Sequence, residues 1–411
     1  MRDLLLLAAL AVQTTALPTW DSLDGITSGL HPRAATPQVK TVTYIANVTD
    51  PALNRDSCGS VRLGKRVLWT CRDTMYYNAA TKQSQFPIYV STAGWTNLST
   101  TGGPAIRKTG GPVGAGSTGK NAIVQMYGNP NPTGLKEYYP LASDECNTNH
   151  GFCSDGTRWA LWPNQPPLVT ASNAAWSAIG YTIIQKAHIA GLQLVPPIEP
   201  AFSLYRIYYN ANQATNSLPR VDLISEEFWK PGEIGFGNYG GFVRNGIAYL
   251  YGRGDQSGGT VLAKVPAGLI TNRLAYQYYN YSSGAYSPLL SPTLINDTTV
   301  TIPNAGAGGQ GTFYYSSYYN LYIWIGQSVF SVVADFWMST APAPEGPWTA
   351  PVLIFQGANG DDTFISSYSL QAHTSLLPSG NAASENGIYL TWTQQNTNTP
   401  YVTPLVYVQF Q

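Results

Sequence analysis

Short runs rich in Val, Ile, Tyr, Trp or Thr recur along the chain, and most are bounded by Gly, Pro, Asn or Asp. Such runs at 41–48, 60–71, 86–92, 121–127, 157–162, 178–187, 203–209, 239–252, 259–265, 312–325, 328–338, 351–355, 366–376, 387–393 and 401–410 predict strands. Helical spacing is scarce. It occurs at 262–276, LAKVPAGLITNRLAY, where Pro266 and Gly268 interrupt it. An all-β chain of this length with evenly spaced short strands forms a pair of sandwiches, a barrel or a propeller. A loose recurrence favours the propeller: NGIAYLYG (245–252), YNLYIWIG (319–326) and NGIYLTWT (386–393) each place a turn before an aromatic-rich strand. The corresponding blades are 41–98, 121–210, 221–290, 300–356 and 362–411, within one domain over 41–411.

The first residues, MRDLLLLAALAVQTTALPTW, have the basic start, short apolar run and small residues of a secretory signal peptide over 1–16, followed by a flexible or processed leader over 17–40. The apolar run is shorter than the ~20 residues that span a bilayer. Sequons at Asn47, Asn97, Asn280 and Asn296 fit an extracellular route. Cys58, Cys71, Cys146 and Cys153 are expected to form two disulfides in that compartment, and their spacing argues against a zinc site. The 22 basic and 22 acidic side chains balance, which leaves no electrostatic footprint for nucleic acid or an anionic membrane. Few charges and many Tyr and Trp residues suit contact with neutral sugars, whose C–H faces pack on aromatic rings, although the same rings also serve as core. The chain is expected to act as a monomer.

A resemblance adds to this picture. FGNYGGFVRNGIAYLYGRGDQSGGTVLAKVPAGLITNRLAYQYYN, YYSSYYNLYIWIG and STAPAPEGPWTAPVLIF, with RDT at Arg72–Thr74 and GPW at Gly346–Trp348, resemble five-bladed β-propeller glycoside hydrolases. The nearest in kind is the secreted family that includes endo-D-arabinanases. The likeness runs over most of the chain after residue 40, while the insert around 99–170 and the Cys146–Cys153 loop depart from the family pattern. It implies a hydrolase of furanose-containing polysaccharide that needs no organic cofactor. It further implies a channel histidine, for which His373 is the match, touching substrate or an axial calcium ion.

The strongest local chemistry is in RDSCGSVRLGKRVLWTCRDT (55–74). Folding it about Gly64-Lys65 gives a type II′ hairpin, whose first turn residue needs a positive φ. Cys58 then faces Cys71 and Asp56 faces Asp73, both as non-hydrogen-bonded pairs with Cα atoms ~4.5 Å apart, a spacing a disulfide tolerates. Two like charges so placed are destabilising, which a chain selected for stability alone would rarely keep. The pair matches the two carboxyl groups of a glycosidase, and a separation of ~5–5.5 Å implies attack by one of them and retention. Asp56 is assigned as nucleophile and Asp73 as acid/base, with the roles open to exchange. The bland alternative has each aspartate capping a turn or pairing with Arg55 or Arg72.

Other candidates are weaker. Glu226 and Glu227 precede the third blade, and either is the acid if a loop carries it to the central mouth. Asp155, Trp159, Tyr76 and Tyr239 are candidate sugar contacts, with Trp162 and Tyr318 beside them. Rival readings are a non-catalytic carbohydrate-binding propeller and a cell-surface adhesion propeller.

Overall fold

The computed structural model describes residues 36–411 apart from 79, 109–118, 120, 129–133, 174, 176, 192, 198, 255–258, 289–297, 330, 379, 381–385 and 398–400. The signal peptide expected over 1–16, most of the leader expected over 17–40 and the Asn296 sequon lie outside the described residues.

Five sheets form the blades of a five-bladed β-propeller, antiparallel except where Val39–Thr49 runs parallel to Ala122–Gln125 in the last of them. The first is built from Gly59–Leu63, Arg66–Cys71 and Thr92–Asn97. The second runs outward as Leu168–Ser172, Ala178–Gln185, Phe202–Tyr209 and Arg220–Trp229. Gly240–Arg244 begins the third, Gly308–Ser316 the fourth and Ser367–Ala372 the fifth, and these inner strands neighbour one another around the axis. The fifth blade is completed by the start of the chain: Val39–Thr49 pairs antiparallel with Thr403–Phe410, with Val42 opposite Val408. That pairing fastens both ends of the ring and removes two open strand edges.

Five apolar clusters lie between successive blades. Ile184 and Tyr205 of the second blade meet Leu68 and Trp95 of the first. Trp229 meets Leu250 and Ala263, and Tyr251 meets Phe313 and Trp324. Ile323 and Met338 meet Leu390 and Val406, while Ile45 and Leu405 meet Val67 and Trp69 to close the circle. Alternation along the strands produces this packing: Ala178–Gln185 buries Ala178, Gly180 and Thr182 on one face and then runs into the buried Ile183-Ile184. Much of the aromatic content is therefore inter-blade core.

Three expectations are corrected here. The strand predicted at 41–48 in the first blade belongs to the fifth, because ring closure recruits it from the N-terminus. Its first residue is Val39, two positions inside the expected leader. Arg220–Trp229, expected to open the third blade, is the outermost strand of the second. In 262–276 the strand Thr260–Pro266 is followed by two single 3₁₀ turns, Ala267–Leu269 and Arg273–Ala275, as Pro266 and Gly268 foretold. Among the described residues no helix is long and apolar enough to cross a membrane.

Candidate active site

The hairpin register is the one the turn dictates. Gly64 has φ +60, Leu63 faces Arg66 and Gly59 faces Thr70; beyond the cysteines the same register resumes, with Arg55 opposite Thr74 and Leu53 opposite Tyr76. Cys58 and Cys71 are disulfide-bonded with Cα atoms 4.1 Å apart, and Cys146 is bonded to Cys153. Between the two halves the ladder changes phase. The Asp56 amide donates to the Asp73 carbonyl at 2.9 Å and the Arg72 amide to the Asp56 carbonyl at 2.9 Å, so the expected non-hydrogen-bonded pairing does not form. The cause is Ser57, which holds a left-handed φ of +48. Strained non-glycine backbone of this sort costs about 1–3 kcal/mol and collects at functional sites.

The two aspartates remain neighbours but have different surroundings. Asp73 is gripped from both sides: Arg158 Nη1 donates to Oδ2 at 2.9 Å, Arg158 Nη2 to Oδ1 at 2.5 Å and Trp162 Nε1 to Oδ1 at 2.9 Å. Both oxygens accept from a guanidinium fork, the geometry of a carboxylate. Asp56 is 3% exposed, and burial pushes its carboxyl up to about 6, against the pull of the buried Arg72 and the Ser57 hydroxyl and with a further push from the Asp73 charge. Ser57 Oγ donates to Asp56 Oδ1, which leaves Oδ2 as the oxygen able to carry a proton. Arg55, a suggested partner for these acids, instead pairs with Asp50 at 3.0 Å and Thr92 at 2.7 Å.

A chain of neutral polar groups ties this corner to the other blades. Ser57 Oγ lies 2.6 Å from Ser369 Oγ in the fifth blade, and Ser369 lies 2.6 Å from the Gln310 amide in the fourth. The Gln310 amide is best satisfied with its nitrogen toward Ser369 and its oxygen toward Arg72 Nη1 at 3.0 Å. Asn164 accepts from Arg72 through its side chain, and its carbonyl lies 3.5 Å from Gln371 Nε2. Gln165 donates to the carbonyls of Tyr239 at 3.1 Å and Gly311 at 2.8 Å. Residues 163–165 are thus bonded to residues of, or next to, the first, third, fourth and fifth blades and link them beside Asp73. Beyond them lies a cavity of about 330 Å³, lined by Ser60, Arg62, Gln165, Thr312, Gln371 and Ser375 among others; neither Asp56 nor Asp73 lines it.

The remaining candidates scatter. Glu226 and Glu227 are exposed on the outermost strand of the second blade, so neither comes to the mouth on a loop. Tyr239 is 4% exposed and packs edge-on against Phe313 between blades. His373 is 1% exposed and bonded at both nitrogens, Nδ1 to Ser60 and Nε2 to Thr391, each at 2.6 Å. Burial pulls it down to about 3, a neutral core histidine one layer behind the cavity wall. With no free ring nitrogen it fits neither a substrate contact nor an axial calcium ion, and among the described residues no cluster of three His, Cys, Asp or Glu side chains is found.

Asp155 is an exposed turn residue accepting from the Thr157 amide at 2.9 Å and hydroxyl at 2.7 Å, which hold its carboxyl below the usual range. Trp159 stacks on His188 at 4.3 Å, and Tyr76 packs edge-on against Tyr89. Tyr318 is 53% exposed on the turn between Gly308–Ser316 and Leu321–Ser328. Asn97 is exposed, whereas Asn47 and Asn280 are half-buried, and all three accept hydrogen bonds through Oδ1. Of the aromatic residues expected to contact sugar, Trp162 touches a candidate acid. Arg158, Asn164, Gln310, Tyr368 and Ser369 escaped the sequence reading. Gln310 sits in GAGGQG, whose glycines let Trp324 lie on the backbone: a Cβ at Gly311 would come within 2.6 Å of its indole.

No family model matches this chain, and no curated protein does. Solved structures are similar in fold. A candidate hydrolase from Bacteroides ovatus shares 12% identity over 86% of this chain and 85% of its own, with a TM-score of 0.55. An exo-β-1,3-galactanase from Phanerochaete chrysosporium (8% identity, 90% and 67% covered) has a TM-score of 0.44. A GH43 β-xylosidase/α-arabinofuranosidase from a compost metagenome (9% identity, 90% and 94% covered) has a TM-score of 0.43. At such identities the likeness speaks for the fold alone.

Proposed function

We propose that the protein is a secreted glycoside hydrolase acting on a neutral, furanose-containing polysaccharide, with D-arabinan the first substrate to try and endo cleavage the first mode. One observation carries the reading: two neighbouring aspartates where the first, fourth and fifth blades meet, one buried with its carboxyl raised to about 6, the other held through both oxygens by Arg158 and also by Trp162. A buried carboxyl group with a raised pKa beside one engaged in a guanidinium fork supplies the two unlike groups that acid and nucleophile require. The environments favour exchanging the roles first assigned. Asp56 Oδ2 would give its proton to the leaving oxygen, and Asp73, ionised and oriented, would attack the anomeric carbon. Water would then enter with Asp56 as base, giving retention.

Neutral amides and hydroxyls at this corner, from Asn164, Gln310 and Ser369, suit sugar hydroxyls better than an ionic ligand. Both acids are nearly covered, so substrate reaches them by displacing neighbouring side chains. Secretion is proposed from the signal-peptide pattern together with the two disulfides. No step is routed through a metal ion. The test is a panel of polysaccharides with anomeric analysis of early products. Retained products from a furanose-containing member are expected, and no product from any member would sink the reading in favour of a binding propeller.

A further inference from the structure

The inner strand of the fifth blade carries an irregularity that the scheme above leaves unused. Neighbouring residues of a regular strand point to opposite faces. Here Ser369 has φ +55 and the pairing with Gly387–Gln394 slips between Tyr368 and Gln371. As a result both Tyr368 and Ser369 turn toward the Asp56-Ser57 corner: Ser369 meets the Ser57 hydroxyl, and the Tyr368 hydroxyl lies beside the Asp56 carboxyl. Bulges next to active sites commonly re-aim a side chain in this way. Tyr368 is 6% exposed, and its hydroxyl faces both the Asp56 carboxyl and the Tyr401 hydroxyl without closing a hydrogen bond of strict geometry to either. A buried phenol ordinarily finds one, and bonds of an active site are often loose until substrate closes them.

We propose that Tyr368 is a positioning residue whose hydroxyl donates to Asp56 Oδ2, the oxygen not engaged by Ser57, and so sets the balance between the acid and carboxylate forms of Asp56. The proposal rests on the reading of Asp56 as the proton carrier. The charged and titratable groups facing Asp56 are Arg72 and Asp73 from the adjoining turn, with Arg158 behind Asp73, Tyr368 from the fifth blade, and Tyr401 from the segment entering Thr403–Phe410. A donor to the carboxylate favours the charged form, so its removal makes Asp56 hold its proton to higher pH.

The experiment is a carbon-13 titration of the Asp56 carboxyl in the full chain, run beside the pH dependence of kcat/KM. The wild-type midpoint is expected near 6. Tyr368→Phe is expected to raise it by about one pH unit, the worth of one hydrogen bond to a charged group, and to move the alkaline limb of kcat/KM by the same amount. A merely structural tyrosine would lower activity without moving either. Should the variant not fold, the Cζ resonance of Tyr368 in the wild-type protein decides, since it must follow the Asp56 titration. An unmoved Asp56 midpoint in folded Tyr368→Phe, or a Cζ resonance flat through that midpoint, overturns the proposal. Failure of the proton-carrier reading shows separately, as an Asp56→Asn variant that keeps its rate, and leaves the titration result standing.

Discussion

The hydroxyls of Ser57 and Ser369 lie 2.6 Å apart, and each serine holds a left-handed backbone, with φ +48 and +55. Two strained turns from the first and fifth blades thus meet at the corner that holds Asp56. The strain at Ser369 is tolerable to glycine and hostile to a β-branched residue. Ser369→Gly should unfold in urea within roughly 1 kcal/mol of wild type, since relief of strain offsets the lost hydrogen bond. Ser369→Val should lose at least about 2 kcal/mol.

Asp56 gives a stability signature with a definite sign. Its carboxyl is raised from 3.8 to about 6 in the folded chain, so folding favours the protonated form. That contribution is fully present below pH 3.8 and is lost as pH rises through about 6. Asp56→Asn should therefore be more stable than wild type at pH 7.5, by something on the order of 3 kcal/mol. The advantage should shrink between pH 6 and pH 4, the interval its raised pKa defines. Melting temperatures of both proteins across that range check it.

Removing one partner of the Asp73–Arg158 pair should cost far more than an exposed ion pair does, because both side chains are only 10% exposed. Arg158→Ala leaves a buried carboxylate with Trp162 alone, and a loss of about 3–5 kcal/mol is expected in denaturant unfolding.

The Cys58–Cys71 bond closes a separation of 13 residues around the hairpin. The double Cys→Ala variant should lose about 3 kcal/mol, as a loop of that size predicts. Gly64 and the pairing on both sides of the cysteines hold the register without the bond, so circular dichroism should stay native at low temperature.

The hairpin was legible because its information is local: Gly64-Lys65 sets the turn, the turn sets the pairing, and Cys58 and Cys71 agree with it. The strands were legible for the same reason, from composition and punctuation. What escaped was set by distance along the chain. Arg158 reaches Asp73 across 85 residues and Ser369 reaches Ser57 across 312, and no short motif marks either. Glu226 and Glu227 misled because an acidic run before an aromatic strand reads as a loop, whereas pairing with Phe202–Tyr209 makes it an outer strand. His373 misled because a polar residue on an inner strand looks like a channel contact until Ser60 and Thr391 are found on its two nitrogens. Left-handed serines carry no signal in composition at all.

The central claim is that Asp56 and Asp73 together cleave a glycosidic bond. It is tested most directly by the initial rate of product release from the best polysaccharide of the panel, measured for wild type, Asp56→Asn and Asp73→Asn under identical conditions. The account predicts a loss of at least about 100-fold in each folded variant, the usual worth of a positioned acid or base. Two folded variants that release product at the wild-type rate would contradict it.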